Sequence, residues 1–152
     1  MIKLYSLTAV ILLFFVGCTK KDTMKYHVGQ EWNYKTRPGE ENSIMKIFKI
    51  EEYPATGKVI HISINGLKMK DLHHSEGIAD KISHLPVTEE ALDKSVIRIK
   101  NDTRKLPDSL EMDGYSYWKK EFDKGNAGVF SIPVSEIVNV MEKSIVSGDY
   151  VE

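Results

Sequence analysis

The chain is 152 residues long, carries 21 lysines and arginines against 22 aspartates and glutamates, and is 41% hydrophobic with a single cysteine. These values fit one globular domain. A net charge of -1 gives no electrostatic footprint for a nucleic-acid backbone, and no polybasic tract invites an anionic membrane surface, so neither is an expected partner by charge.

The charge is unevenly spread. Lys3 is the only charged residue among the first 18, so residues 19–152 hold 20 basic and 22 acidic side chains. Met1-Ile2-Lys3 is a short positive start, and residues 4–16 follow with eleven apolar residues in thirteen, up to Gly17 and Cys18. This is a signal-peptide pattern. As a helix it reaches only about 20 Å, short of the roughly 30 Å hydrocarbon core, so a permanent membrane span is not expected.

The tetrad Phe15-Val16-Gly17-Cys18 resembles the lipobox of bacterial lipoproteins, with Phe15 where that family usually has Leu. The resemblance implies cleavage before Cys18 and diacylglycerol on its sulfur. It gives a chemical use to a lone cysteine in an exported chain. With Cys18 acylated no disulfide is available, and stability must come from packing. In the same family, Thr19 rather than Asp after the cysteine implies the outer membrane of a double-membraned host, with the domain facing the periplasm. A single-membraned host would place it outside the cell. The expected organisation is a signal peptide over 1–17, the lipidated cysteine and a polar tether over 18–25, and one globular domain over 26–152.

Within that domain, Trp32-Asn33-Tyr34-Lys35-Thr36 alternates as a half-buried strand does, and Arg37-Pro38-Gly39 closes it with a turn. Residues 43–52 carry Ile44, Ile47, Phe48 and Ile50. A turn over 53–57 and renewed alternation over 58–65 then predict a hairpin. Ile60, Ile62 and Ile64 share one face and are expected in the core, with Val59, His61, Ser63 and Asn65 on the other. Asn65-Gly66 is expected to make a tight turn. Thr88 can cap a helix that begins with Glu89 and Glu90 and whose inner face is Leu92, Val96 and Ile99. Tyr115, Trp118 and Phe122 predict a second short helix stopping near Gly125, residues 129–132 a returning strand, and residues 134–144 a third helix with Gly148 beyond its end. Strands first and helices afterwards argue an α+β fold, an N-terminal antiparallel β-meander followed by two or three short helices packed on the sheet.

The histidines are the first place to look for chemistry. No His-Glu-x-x-His helix occurs, and an acylated Cys18 offers no thiolate, so no metal or cofactor is expected. His73 and His74 read as part of a solvated loop. His61 lies mid-strand opposite three isoleucines. His84 stands shortly before Thr88, where its imidazole would lie near free N–H groups of a helix start. Together His61 and His84 define a candidate ligand groove. There is no Gly-x-Ser-x-Gly elbow and no phosphate loop, and Glu40-Glu41, Glu51-Glu52 and Glu89-Glu90 are adjacent pairs that seldom converge on one atom. No catalytic residue is therefore assigned, and the chain is not expected to be an enzyme.

Trp32, Tyr34 and Arg37 gather around one turn with the composition of a recognition patch, core packing of Trp32 being the alternative. Residues 29–41, 59–64 and 82–86 resemble a small group of uncharacterised bacterial proteins, which implies no activity and carries no functional residue across. The expected function is that of an envelope-anchored lipoprotein, held in the bilayer through acylated Cys18, that binds a protein partner. An immunity or inhibitor protein against an envelope-targeting enzyme is one such form. The alternative is a periplasmic enzyme or small-ligand-binding protein using the groove of His61 and His84.

Overall fold

A computed structural model of the chain describes residues 25–72 and 75–148. The signal peptide, Cys18, His73 and His74 lie outside the described residues. Five strands, β1 (Gln30–Tyr34), β2 (Ile44–Tyr53), β3 (Gly57–Lys70), β4 (Ile78–Thr88) and β5 (Val96–Asp102), form one antiparallel sheet in the order β4-β3-β2-β1-β5. Three helices complete the α+β fold: α1 (Glu89–Ser95), α2 (Ser109–Phe122) and α3 (Val134–Ser147). The four-strand meander and the late helices follow the sequence pattern, and β5 is added beside β1.

The central strands are covered on both sides. Ile60, Ile62 and Ile64 of β3 join Ala91 and Leu92 of α1 and Val134, Ile137 and Val138 of α3 in the main core. The other face of β3 was expected to be the less buried one, yet Val59, His61 and Ser63 are fully buried as well. The physical reason is α2, which lays Glu111 on Ser63 and Trp118 on His61. A strand between two layers loses the difference between its faces.

Three local expectations change. Asn65-Gly66 is not a hairpin turn: β3 runs through it to Lys70, and the turn to β4 follows, with the Asp71 N–H donating to the Gly77 carbonyl at 3.1 Å. Gly66, at φ +80°, instead sits where the β3–β4 register breaks between Asn65 and Met69, and a Cβ there would meet the Ser43 backbone at 3.3 Å. Thr88 does cap α1, accepting from the Ala91 N–H at 3.2 Å, but the helix ends at Ser95. Val96 and Ile99 therefore belong to β5 and not to a helical inner face. Residues 129–132 contribute only an isolated parallel bridge of Phe130 to Val87. Its two backbone bonds, Thr88 N–H to Phe130 O at 2.9 Å and Phe130 N–H to Pro86 O at 3.0 Å, clip the outer edge of β4. Pro86 is tolerated there because an edge strand need not donate outward at every residue.

The two later helices form where expected. A capping box of Asp108 and Glu111 starts α2. Gly148, left-handed at φ 72°, ends α3 three residues later than the sequence boundary.

Candidate functional site

His61 and His84 are brought together, His61 fully buried and His84 half-buried. Two register irregularities place them. One lies on β2 between Ile47 and Lys49, opposite the stretch of β3 from Ile62 to His61. The other lies between the pairs Ile62–Leu85 and Ile64–Ile82, so that β4 has extra residues opposite Ser63. Such bulges re-aim side chains, and here Phe48 and His84 turn toward His61, with ring centroids 6.2 Å and 5.2 Å from it. Helix α2 closes over the group at Gly114. A Cβ at that position would lie 2.6 Å from the His84 Cβ, so only glycine permits this approach. His84 does stand shortly before a helix, α1 capped by Thr88, but it does not face that helix's N–H groups: it lies inside β4 and faces α2.

The polar atoms form a chain. The Glu51 Oε2 lies 3.1 Å from His61 Nε2, and His61 Nδ1 lies 3.0 Å from His84 Nε2. The two rings are only 21° from coplanar. Their centroid separation is close to the N···N distance plus two ring radii, so they meet edge to edge in a hydrogen bond. Burial pushes the Glu51 carboxyl up, but hydrogen bonds from Tyr53 and Tyr115, both 3.0 Å long, and the charge of Lys49 outweigh it and hold the group below its ordinary value. Burial lowers both imidazoles to about 4 despite the carboxylate beside His61, and the proximity of His61 lowers His84 further.

One proton arrangement follows at neutral pH. Ionised Glu51 can only accept, so His61 Nε2–H donates to it. The His61 Nδ1 lone pair then accepts from His84 Nε2–H, which leaves His84 Nδ1 as the basic end of the relay. The chemistry available is proton transfer along this line. Among the described residues no group of three histidine, aspartate or glutamate side chains is placed to hold a metal ion. The rings are walled by Phe48, Tyr115 and Trp118, and His61 has no exposed surface. His61 therefore lines no open groove, and His84 is the partly exposed member of the pair.

A second buried polar group lies one turn earlier on α2. Lys46 Nζ contacts both Glu111 carboxylate oxygens at 2.8 Å and 3.1 Å, and the Ser63 hydroxyl donates to the same group at 2.6 Å. It holds the start of α2 to β2 and β3.

The recognition patch expected from Trp32, Tyr34 and Arg37 is not formed. Trp32 and Tyr34 are 6% and 4% exposed. The Trp32 indole N–H donates to Gln30 Oε1 at 3.2 Å, and the Tyr34 hydroxyl lies 2.8 Å from Ser43 Oγ. On β1 their side of the sheet faces the main core, which decides the matter for both. Arg37 is a strap: it donates to Glu40 within the turn and to Glu142 of α3 at 2.5 Å.

β5 is an accessible feature. It is the outer strand of the sheet beyond β1, and Ile97 and Ile99 are 62% and 46% exposed. Sequence reasoning missed this edge, and it missed the Glu51–His61 contact, which hairpin register alone could have placed.

No protein-family model matches the chain, and no curated protein and no solved structure matches it either.

Proposed function

We propose that this chain is an envelope-anchored lipoprotein that works by binding a protein partner, with an immunity or inhibitor protein against an envelope-targeting enzyme as its concrete form. The open edge of β5 carries the reading. Peptide recognition by strand addition needs an unpaired row of backbone groups beside side chains that gain from burial, and among the described residues β5 offers that row with Ile97 and Ile99 exposed. The lipobox-like Phe15-Val16-Gly17-Cys18 supports the location. Seven residues at about 3.5 Å each would keep Lys25 within about 25 Å of an acylated Cys18, which raises the effective concentration of the domain at the membrane.

The Glu51–His61–His84 relay favours a second reading, a periplasmic enzyme or small-ligand binder. A ligand would have to meet the relay at His84, which is half-buried, because His61 is fully buried. The test that separates the two compares affinity capture from the envelope by the wild-type protein, by Ile97→Asp, and by His84→Gln. The binding reading predicts a reproducible partner lost with Ile97→Asp and retained with His84→Gln. A measurable turnover abolished by His84→Gln, with capture absent throughout, would replace it with the second reading.

A further inference from the structure

The chemistry of the docking partner is written on β5. Two register irregularities interrupt its pairing with β1, between Glu31 and Trp32 and between Asn33 and Tyr34. They leave Lys100 and Ile97 as extra residues on β5, because Trp32 pairs with Ile99 after Glu31 pairs with Asn101, and Tyr34 pairs with Val96 after Asn33 pairs with Arg98. As a result Ile97, Arg98 and Lys100 together line one shallow recess of about 480 Å³ whose other walls include Asn33, Asn42 and Glu41, the last accepting from the Gly39 N–H at 2.7 Å. Arg98 and Lys100 are exposed and make no ion pair among the described residues, and the same holds for Arg104 and Lys105 just beyond the strand. Asp102, the acid of this stretch, is engaged by His27 at 2.8 Å.

We infer that β5 receives an extended acidic segment of a partner protein as a sixth strand, its carboxylates meeting Arg98 and Lys100 and its apolar side chains covering Ile97 and Ile99. This rests on the protein-binding reading above and names the partner's chemistry. Charge decides between occupants. A second copy paired antiparallel through β5 would bring Arg98 and Lys100 of both chains together, and like charges facing across a strand pair are destabilising. An acidic strand reverses that sign. Cations on an edge strand also guard against unselective pairing, so the same residues that exclude self-association select the partner. The isoleucines, idle on a merely protected edge, supply the apolar contact.

Photo-crosslinking in the native cells tests this with the full chain, comparing Ile97→p-benzoylphenylalanine on β5 with Tyr117→p-benzoylphenylalanine on the exposed side of α2. The expected result is a crosslink at position 97 whose partner peptide, mapped by mass spectrometry, is extended and rich in Asp and Glu. A synthetic peptide of that segment should then bind the wild-type domain at least about tenfold more tightly than the double variant Arg98→Glu, Lys100→Glu. Circular dichroism of the double variant confirms that it folds. A crosslink at 97 to a neutral or basic segment, or to a second copy of this chain, overturns the inference. A crosslink at 117 alone also overturns it while leaving the protein-binding reading standing, and no crosslink at either position counts against both.

Discussion

Acid should loosen this fold through two histidines. In an unfolded chain an imidazole titrates near 6.5, whereas burial lowers His61 and His84 to about 4. The stability they contribute is fully present above pH 6.5, and it is lost as pH falls toward 4 because the unfolded chain takes up protons that the native protein refuses. At pH 5 each ring costs about 2 kcal/mol relative to neutral pH by this linkage, so the pair removes about 3 to 4 kcal/mol. That is a large fraction of the roughly 5 to 15 kcal/mol typical of a domain. Groups facing the pair from the sheet and α2 are Glu51, Lys49, Tyr53 and Tyr115, and Glu51 adds to the loss only as its own carboxyl protonates lower down. Guanidinium denaturation at pH 7, 6 and 5 measures the effect, with His84→Phe as the comparison because it removes one titrating ring and keeps an aromatic filler. The wild-type protein should lose stability about twice as steeply per pH unit as His84→Phe over this range. Equal slopes in the two proteins, or a midpoint unchanged from pH 7 to 5, would refute the buried neutral relay.

Four further outcomes follow, three of them from named contacts. Glu111→Ala should cost about 3 to 5 kcal/mol, because it strands Lys46 in a buried site, and Ser63→Ala about 1 to 3 kcal/mol, because Glu111 loses a buried donor. Chemical denaturation checks both, and a Ser63→Ala effect near zero would contradict the contact. Gly114→Ala should destabilise by about 1 to 3 kcal/mol, since its Cβ collides with the His84 Cβ, and the added penalty should shrink in a His84→Gly background, which removes that atom, but persist in His84→Ala, which keeps it. Cys18→Ala should move the protein out of the membrane fraction or leave it uncleaved, as read by fractionation and intact mass. An unmodified Cys18 in membrane-extracted wild-type protein would count against lipidation.

Much of the architecture was legible because long strands announce their period. The alternation over 58–65 placed the central strand, and Tyr115, Trp118 and Phe122 placed α2 at helical spacing. Residues 92–99 were misread for a physical reason: Leu92, Val96 and Ile99 fit one helical face, while Val96-Ile97-Arg98-Ile99-Lys100 also suits a strand, and a short β-branched run fits both periods. Pairing with β1 decided in favour of β5. Asn65-Gly66 carried a true local turn preference, but the pairing of β3 with β4 on both sides absorbed it as a bulge. His61 and His84 were read as lining a groove, whereas they meet in a hydrogen bond beside α2, because nothing local to either residue encodes the helix that packs on them. Glu51 went unassigned beside Glu52, since only its opposite face in the β2–β3 hairpin distinguishes it. Trp32 and Tyr34 show the converse, aromatics whose composition suits recognition and whose strand parity sends them into the core.

The most direct test of the binding account is amide hydrogen exchange on the purified domain, with and without the partner segment recovered by crosslinking at position 97. The account predicts slowed exchange concentrated over residues 96–102, where β5 gains a neighbour, with no change around His84 and Trp118. Protection centred on β4 and α2, with β5 exchanging as it does in the free protein, would contradict it.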